Sequence, residues 1–85
     1  FLAQAQNYFA KKGIAEFHLE TGELKLNDRI LIIGPTTGVI EETVKELYVD
    51  GKQATKAVKG NKVTIKVKER VRDSDKLYLL KERSI

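Results

Sequence analysis

This sequence predicts an all-β fold, a small closed or partly open antiparallel β-barrel of about six strands. Three observations carry the prediction. Val63, Ile65 and Val67 alternate with Lys62, Thr64, Lys66 and Lys68, while Ala15, Phe17 and Leu19 alternate with Glu16, His18 and Glu20. A period of two is the pattern of a strand with one buried face. Turn residues recur about every eight to twelve positions, the spacing of a small barrel or sandwich. Finally, the β-branched run Arg29 to Ile33 is stopped by Gly34-Pro35, because proline lacks the N–H that a continuing ladder needs.

Taken in order, Leu2 to Tyr8 places Ala3 and Ala5 opposite Gln4 and Gln6, and Lys11-Lys12-Gly13 supplies a hairpin turn. Ile14 to Glu20 is the second strand. Thr21-Gly22 punctuates, Leu24 and Leu26 flank Lys25, and Asn27-Asp28 makes the next turn. Arg29 to Ile33 is continuous enough to predict a strand covered on both faces. The segment from Ile40 to Lys52 reads two ways. Ile40, Val44, Leu47 and Tyr48 have helical spacing, yet Leu47 to Lys52 reads as a strand entering an Asp-Gly turn. Thr43 and Val44 are poor helix formers, so strand is the preferred reading, with a bulge-like change of phase between Val44 and Leu47. Gly60-Asn61 turns into the strand of Val63 to Val67. Lys76 to Lys81 is the last strand, with Leu77 and Leu79 on one face and Tyr78 and Leu80 on the other.

Eighty-five residues make one domain with a modest core. A composition of 41% hydrophobic and 33% charged residues is that of a globular domain rather than a disordered chain. The longest apolar run, Ile30 to Ile33, has four residues, against the ~20 that span a bilayer. Without Cys there is no disulfide scaffold and no thiolate metal site. With no Met, the chain reads as a piece excised from a longer protein, a single β-barrel domain over residues 1–85. Residues 13–50 hold eight acids and three bases, whereas residues 52–72 hold eight bases and one acid, a local balance of +7. Such asymmetry speaks about partners rather than fold.

Several runs carry a family resemblance in order: Asn7-Tyr8-Phe9, Lys12 to Phe17, Gly22 to Leu26, Arg29 to Ile40 with its Gly34-Pro35-Thr36-Thr37-Gly38 turn, Val63 to Val67, and Ser74 to Tyr78. Over nearly its whole length the chain resembles the C-terminal domain of the U32 peptidase family, the collagenase-like proteases. The Gly34 to Gly38 turn and the Asn7-Tyr8-Phe9 run are the specific parts. More distantly, the chain is similar to domain 2 of elongation factor Tu, a β-barrel shared by translation factors. Asn27 and Asn61 depart from the usual turn residues there, and asparagine tolerates the same backbone. The resemblance implies a cytoplasmic accessory domain, with any catalytic machinery in a larger domain of the parent protein. That catalytic domain is the first partner it implies. Because some members are linked to hydroxylation of structured RNA, the parent's substrate, protein or RNA, stays open.

Nothing in the sequence assembles a catalytic constellation. A nucleophile needs an activating base, and the one imidazole, His18, lies on the polar strand face beside Glu16 and Glu20. Ser74 between Asp73 and Asp75 reads as a turn, and Ser84 has no nearby partner. The Gly34 to Gly38 loop lacks the Gly-Lys-Ser/Thr of a phosphate-binding loop. Glu41-Glu42 and Asp73-x-Asp75 do not match a calcium loop and read as solvated surface. No metal or other cofactor is indicated.

The basic run is the stronger candidate. Lys62, Lys66, Lys68, Arg70 and Arg72 share strand parity, so they form a cationic comb if the strand continues past Val67. The comb suits nucleic acid or an acidic protein, or it serves as a charged edge that discourages aggregation. Aromatic residues do not interleave it, and Tyr48 and Tyr78 come from other segments. Tyr8, Phe9, Pro35, Thr36 and Thr37 are the candidate contacts with the catalytic domain.

Overall fold

The computed structural model describes residues 1–80 and is all-β, with ten short strands and no helix. They are β1 (Ala3–Phe9), β2 (Ile14–His18), β3 (Glu23–Lys25), β4 (Arg29–Gly34), β5 (Gly38–Thr43), β6 (Leu47–Val49), β7 (Lys52–Gln53), β8 (Lys56–Val58), β9 (Lys62–Lys66) and β10 (Lys76–Leu80). Eight form one curled antiparallel sheet in the order β5-β4-β10-β1-β2-β9-β6-β7, while β3 and β8 pair separately. The sheet ends at β5 and β7 and curls into a half-barrel, the partly open form of the predicted architecture. Ten strands replace about six because β3, β7 and β8 have two or three residues each, too few to display a period, and because the segment read as one strand with a change of phase divides into β5 and β6. Lys81 and Ser84 lie outside the described residues. Among those described, no helix is long and apolar enough to cross a membrane.

Alternation builds the inner face. Phe17 lies opposite Val63, Ala15 opposite Ile65, and Leu47 opposite Ile65 on the next strand. Ala3 faces Leu77, Leu77 faces Ile32, and Ile32 faces Ile40. All of these are buried in one cluster with Leu2, Leu19, Leu24, Val44 and Val71. Leu24 and Ala57 carry the small sheet into that cluster.

Two sequence expectations change here. First, β4 is not covered on both faces. Ile30 and Ile32 are buried, but Leu31 is half-buried and Ile33 exposed, because the sheet is one layer with solvent on its convex side. Second, β9 is an interior strand between β2 and β6, so its lysines project from a face rather than line an edge.

The preferred reading of residues 40–49 holds. Ile40 and Val44 are buried on one parity and Leu47 on the other. The shift falls at Val44 to Glu46, between β5 and β6, where Val44 exchanges backbone hydrogen bonds with the Asn27-Asp28 turn (2.7 and 2.8 Å). Asn27, Asp50 and Ser74 adopt the left-handed backbone expected of turn residues, with φ of 75, 51 and 71°.

Candidate macromolecule-binding site

Residues 67–75 connect β9 to β10 and carry most of the cations singled out above. The strand ends at Lys66, so Lys62 and Lys66 share a strand face while Lys68, Arg70 and Arg72 lie in irregular backbone. A continuous comb is therefore not formed. The reason lies in the neighbouring strand: β2 pairs with β9 only as far as Ile14 opposite Lys66, and there the chain turns away. The Val67 amide then donates to the carbonyl of Gly13 (2.9 Å), and the ladder has no further partner.

The connection is pinned along its length. The Lys68 amide donates to Glu42 Oε2 at 2.6 Å, and the Arg72 amide donates to Asp75 Oδ2 at 2.9 Å. The amide of Ser74 donates to the Ala5 carbonyl (2.9 Å), and that of Ala5 to the Asp75 carbonyl (2.6 Å). Val67 and Val71 point into the core, which leaves Lys68, Glu69, Arg70 and Arg72 exposed. The Val67–Gly13 hydrogen bond sets the start of the connection against the β1–β2 turn, whose Lys11 and Lys12 are exposed and which sequence parity could not connect with the run.

Aromatic residues now join the cations, which the sequence did not foresee. A register shift between Ala5 and Asn7 in β1 changes the strand's phase and leaves Tyr8 half-buried. Tyr8 lines a depression of about 460 Å³ with Asn7, Arg70, Val71, Arg72 and Asp73. Tyr48 lines a second, of about 430 Å³, whose walls include Lys12, Glu46 and Thr64.

Asp75 is the largest correction. The sequence groups it with Asp73 as solvated surface, yet its side chain is 2% exposed and accepts hydrogen bonds from the Thr37 hydroxyl and the Arg72 amide. A buried carboxylate must find such donors, and its partner lies too far along the chain to be read from spacing. Glu41 and Glu42 do face opposite ways: Glu41 pairs with Arg29, and Glu42 takes the Lys68 amide.

The other candidates sit apart. Pro35 and Thr36 are exposed at the β4–β5 tip, Thr37 is half-buried against Asp75, and Phe9 is exposed at the β1–β2 turn. His18 is exposed, with Nε2 at 3.1 Å from the Gly60 carbonyl. Among the described residues, no group of three or more His, Cys, Asp or Glu could hold a metal ion.

No family model matches the chain. It is 46% identical over 83 residues to a collagenase of Porphyromonas gingivalis, an alignment covering 98% of this chain and 23% of that protein. It is 42% identical over 81 residues to an uncharacterised protease of Methanocaldococcus jannaschii, covering 95% of the chain and 20% of the relative. The chain thus spans only about a fifth of these relatives' length. Its fold matches the C-terminal domain of a Geobacillus thermoleovorans U32 peptidase with a TM-score of 0.87 at 17% identity, over 95% of this chain and 92% of that one. The identity to the collagenase and the fold shared with the Geobacillus domain agree, and this chain has the fold of the domain that a U32 peptidase carries at its C-terminus.

Proposed function

We propose that this chain is a non-catalytic accessory domain that docks on the catalytic domain of a U32 peptidase-like parent and helps it hold a macromolecular substrate. The observation that carries this reading is the pinned connection of residues 67–75, which displays Lys68, Arg70 and Arg72 beside Lys66 and the Lys11-Lys12 turn. A loop already ordered in the free domain loses little conformational freedom when it binds. Its cations favour acidic stretches of a large substrate, whereas a short neutral peptide has nothing to offer them. Lys62, at the far end of β9, extends the field rather than the contact. Tyr8, Phe9, Pro35, Thr36 and Thr37 are the proposed contacts with the catalytic domain.

The test uses the full-length parent carrying Arg70→Glu and Arg72→Glu. The expected result is a fall of about tenfold in kcat/KM on gelatin, equivalent to ~1.4 kcal/mol, with turnover of a short neutral peptide unchanged. Equal losses on both substrates, or none on either, would sink the reading.

A second reading, an RNA-binding module in an RNA-modifying member of the family, draws on the placement of Tyr8 against Arg70 and Arg72. Aromatic faces among cations suit single-stranded bases and phosphates. A gel-shift titration with tRNA fragments at two salt concentrations tests it: no binding would refute the reading, and binding that survives Lys66→Glu plus Arg70→Glu would refute the part given to those cations. A purely structural domain predicts no binding to either class.

A further inference from the structure

The convex face of the β5-β4-β10 sheet carries a cluster of apolar side chains. Ile33 lies directly opposite Val39, Leu31 opposite Tyr78, and Ile33 is flanked on β10 by Lys76. Val39 is 66% exposed, Ile33 37% and Phe1 48%. Phe1 packs edge-on against Tyr78, with ring centroids 5.9 Å apart and planes at 74°. The ion pair of Arg29 with Glu41 sits at the rim, so the patch has an apolar centre and a charged border. This is the anatomy of a contact surface rather than of scattered exposed residues. The patch also reaches an edge: among the described residues, β5 has β4 as its one strand neighbour. Exposed apolar edge strands pair with other chains unless something covers them.

From this geometry we infer that the convex face around Ile33, Val39, Leu31, Tyr78 and Phe1 is covered by a neighbouring domain of the same longer polypeptide. The inference rests on the accessory-domain reading and names a docking face that the sequence did not single out. Two observations choose this occupant over a foreign protein. The relatives carry about four-fifths of their length outside the segment that matches this chain. In addition, Phe1 itself lies on the patch, so any polypeptide joined ahead of it starts beside this face. Adjacent domains meet at high effective concentration, so a modest apolar contact suffices. The Pro35 to Thr37 tip adjoins Ile33 and Val39 and extends the same contact.

Cysteine accessibility tests it. Val39→Cys and, separately, Phe9→Cys are placed in the full-length parent and in the 85-residue chain, whose Geobacillus counterpart was crystallised as a C-terminal domain by itself. Alkylation of each residue is followed by peptide mapping. Modification at position 39 should be about tenfold slower in the full-length protein, equivalent to ~1.4 kcal/mol of protection. Equal rates at position 39 overturn the inference. If position 9 is then protected, docking stands and uses another face; if neither is, the docking reading falls as well. A rate in the short chain that slows with its own concentration would mean that a second copy covers the face, and would also overturn the inference.

Discussion

The carboxylate of Asp75 accepts a hydrogen bond from the hydroxyl of Thr37, 38 residues away in the chain. Because Asp75 also takes the Arg72 amide, one buried side chain ties the β4–β5 tip to the end of the basic connection. Loops set this firmly keep their side chains in place, and the proposed recognition by Arg70 and Arg72 depends on that.

Thr37→Val keeps the shape and removes the donor. A buried carboxylate oxygen then loses a partner, and stability should drop by about 1–3 kcal/mol. Urea unfolding reads it as a lower midpoint with an unchanged slope. An unmoved midpoint would mean that the hydroxyl contributes nothing.

Gly34 is required for space. A Cβ there would lie 1.8 Å from Asp75 Oδ1 and 2.5 Å from its Cγ, and the carboxylate cannot swing away without losing its donors. Gly34→Ala should cost about 1–3 kcal/mol. Combining it with Asp75→Ala should cost less than the two single losses added, with a coupling of about 1 kcal/mol. Strict additivity would show that the two residues do not compete for the same volume.

The β6–β7 hairpin turns through Asp50 and Gly51, whose φ values of 51 and 84° are those of a two-residue primed turn. Open space surrounds Gly51, so Gly51→Ala is penalised by backbone conformation alone, at about 1–2 kcal/mol. Asp50→Asn should be neutral or slightly stabilising. Thermal midpoints of the two variants decide, and a Gly51→Ala protein as stable as its parent contradicts the turn assignment.

Glu23 gives a pH dependence. A hydrogen bond and the charge of Lys56, 3.1 Å away, hold its carboxyl below the ordinary 4.5, with a smaller contribution from Lys25. A depressed folded value contributes stability that is full above the unfolded value and lost as pH falls through the folded one. Glu23→Gln should therefore be slightly less stable than the parent at neutral pH and equal to it in strong acid. The group is solvent-exposed, so high salt should also shrink the difference. A gap that persists in acid would point to packing instead.

Salt separates the two binding readings. If RNA binds, the slope of log affinity against log salt should lose about 0.7–0.9 for each phosphate contact removed, so Lys66→Glu plus Arg70→Glu should flatten it by about 1.4–1.8. Filter binding at several salt concentrations measures this. A slope that does not change places the contacts elsewhere.

Much of the frame was legible because strands of five or more residues show their period. Phe17 and Ile65 alternate with polar neighbours and are buried, and Ile32 and Leu77 join them in the core. The Asn27-Asp28, Asp50-Gly51 and Gly60-Asn61 turns were equally readable, since few residues accept a left-handed backbone. The basic run was visible as charge, but its shape was not. Parity assumes a ladder, and whether β9 has one past Lys66 depends on where β2 turns away.

The chain's own order of residues determined which side chains face inward, where it turns, and where its positive charge lies, because those follow from local geometry and solvation. Tertiary structure alone decided that β9 ends at Lys66, that Tyr8 joins Arg70 and Arg72, that Asp75 is buried, and that Ile33 faces solvent. Each of these is set by a partner distant in sequence, and a one-dimensional pattern carries no record of which distant segment arrives opposite a given residue.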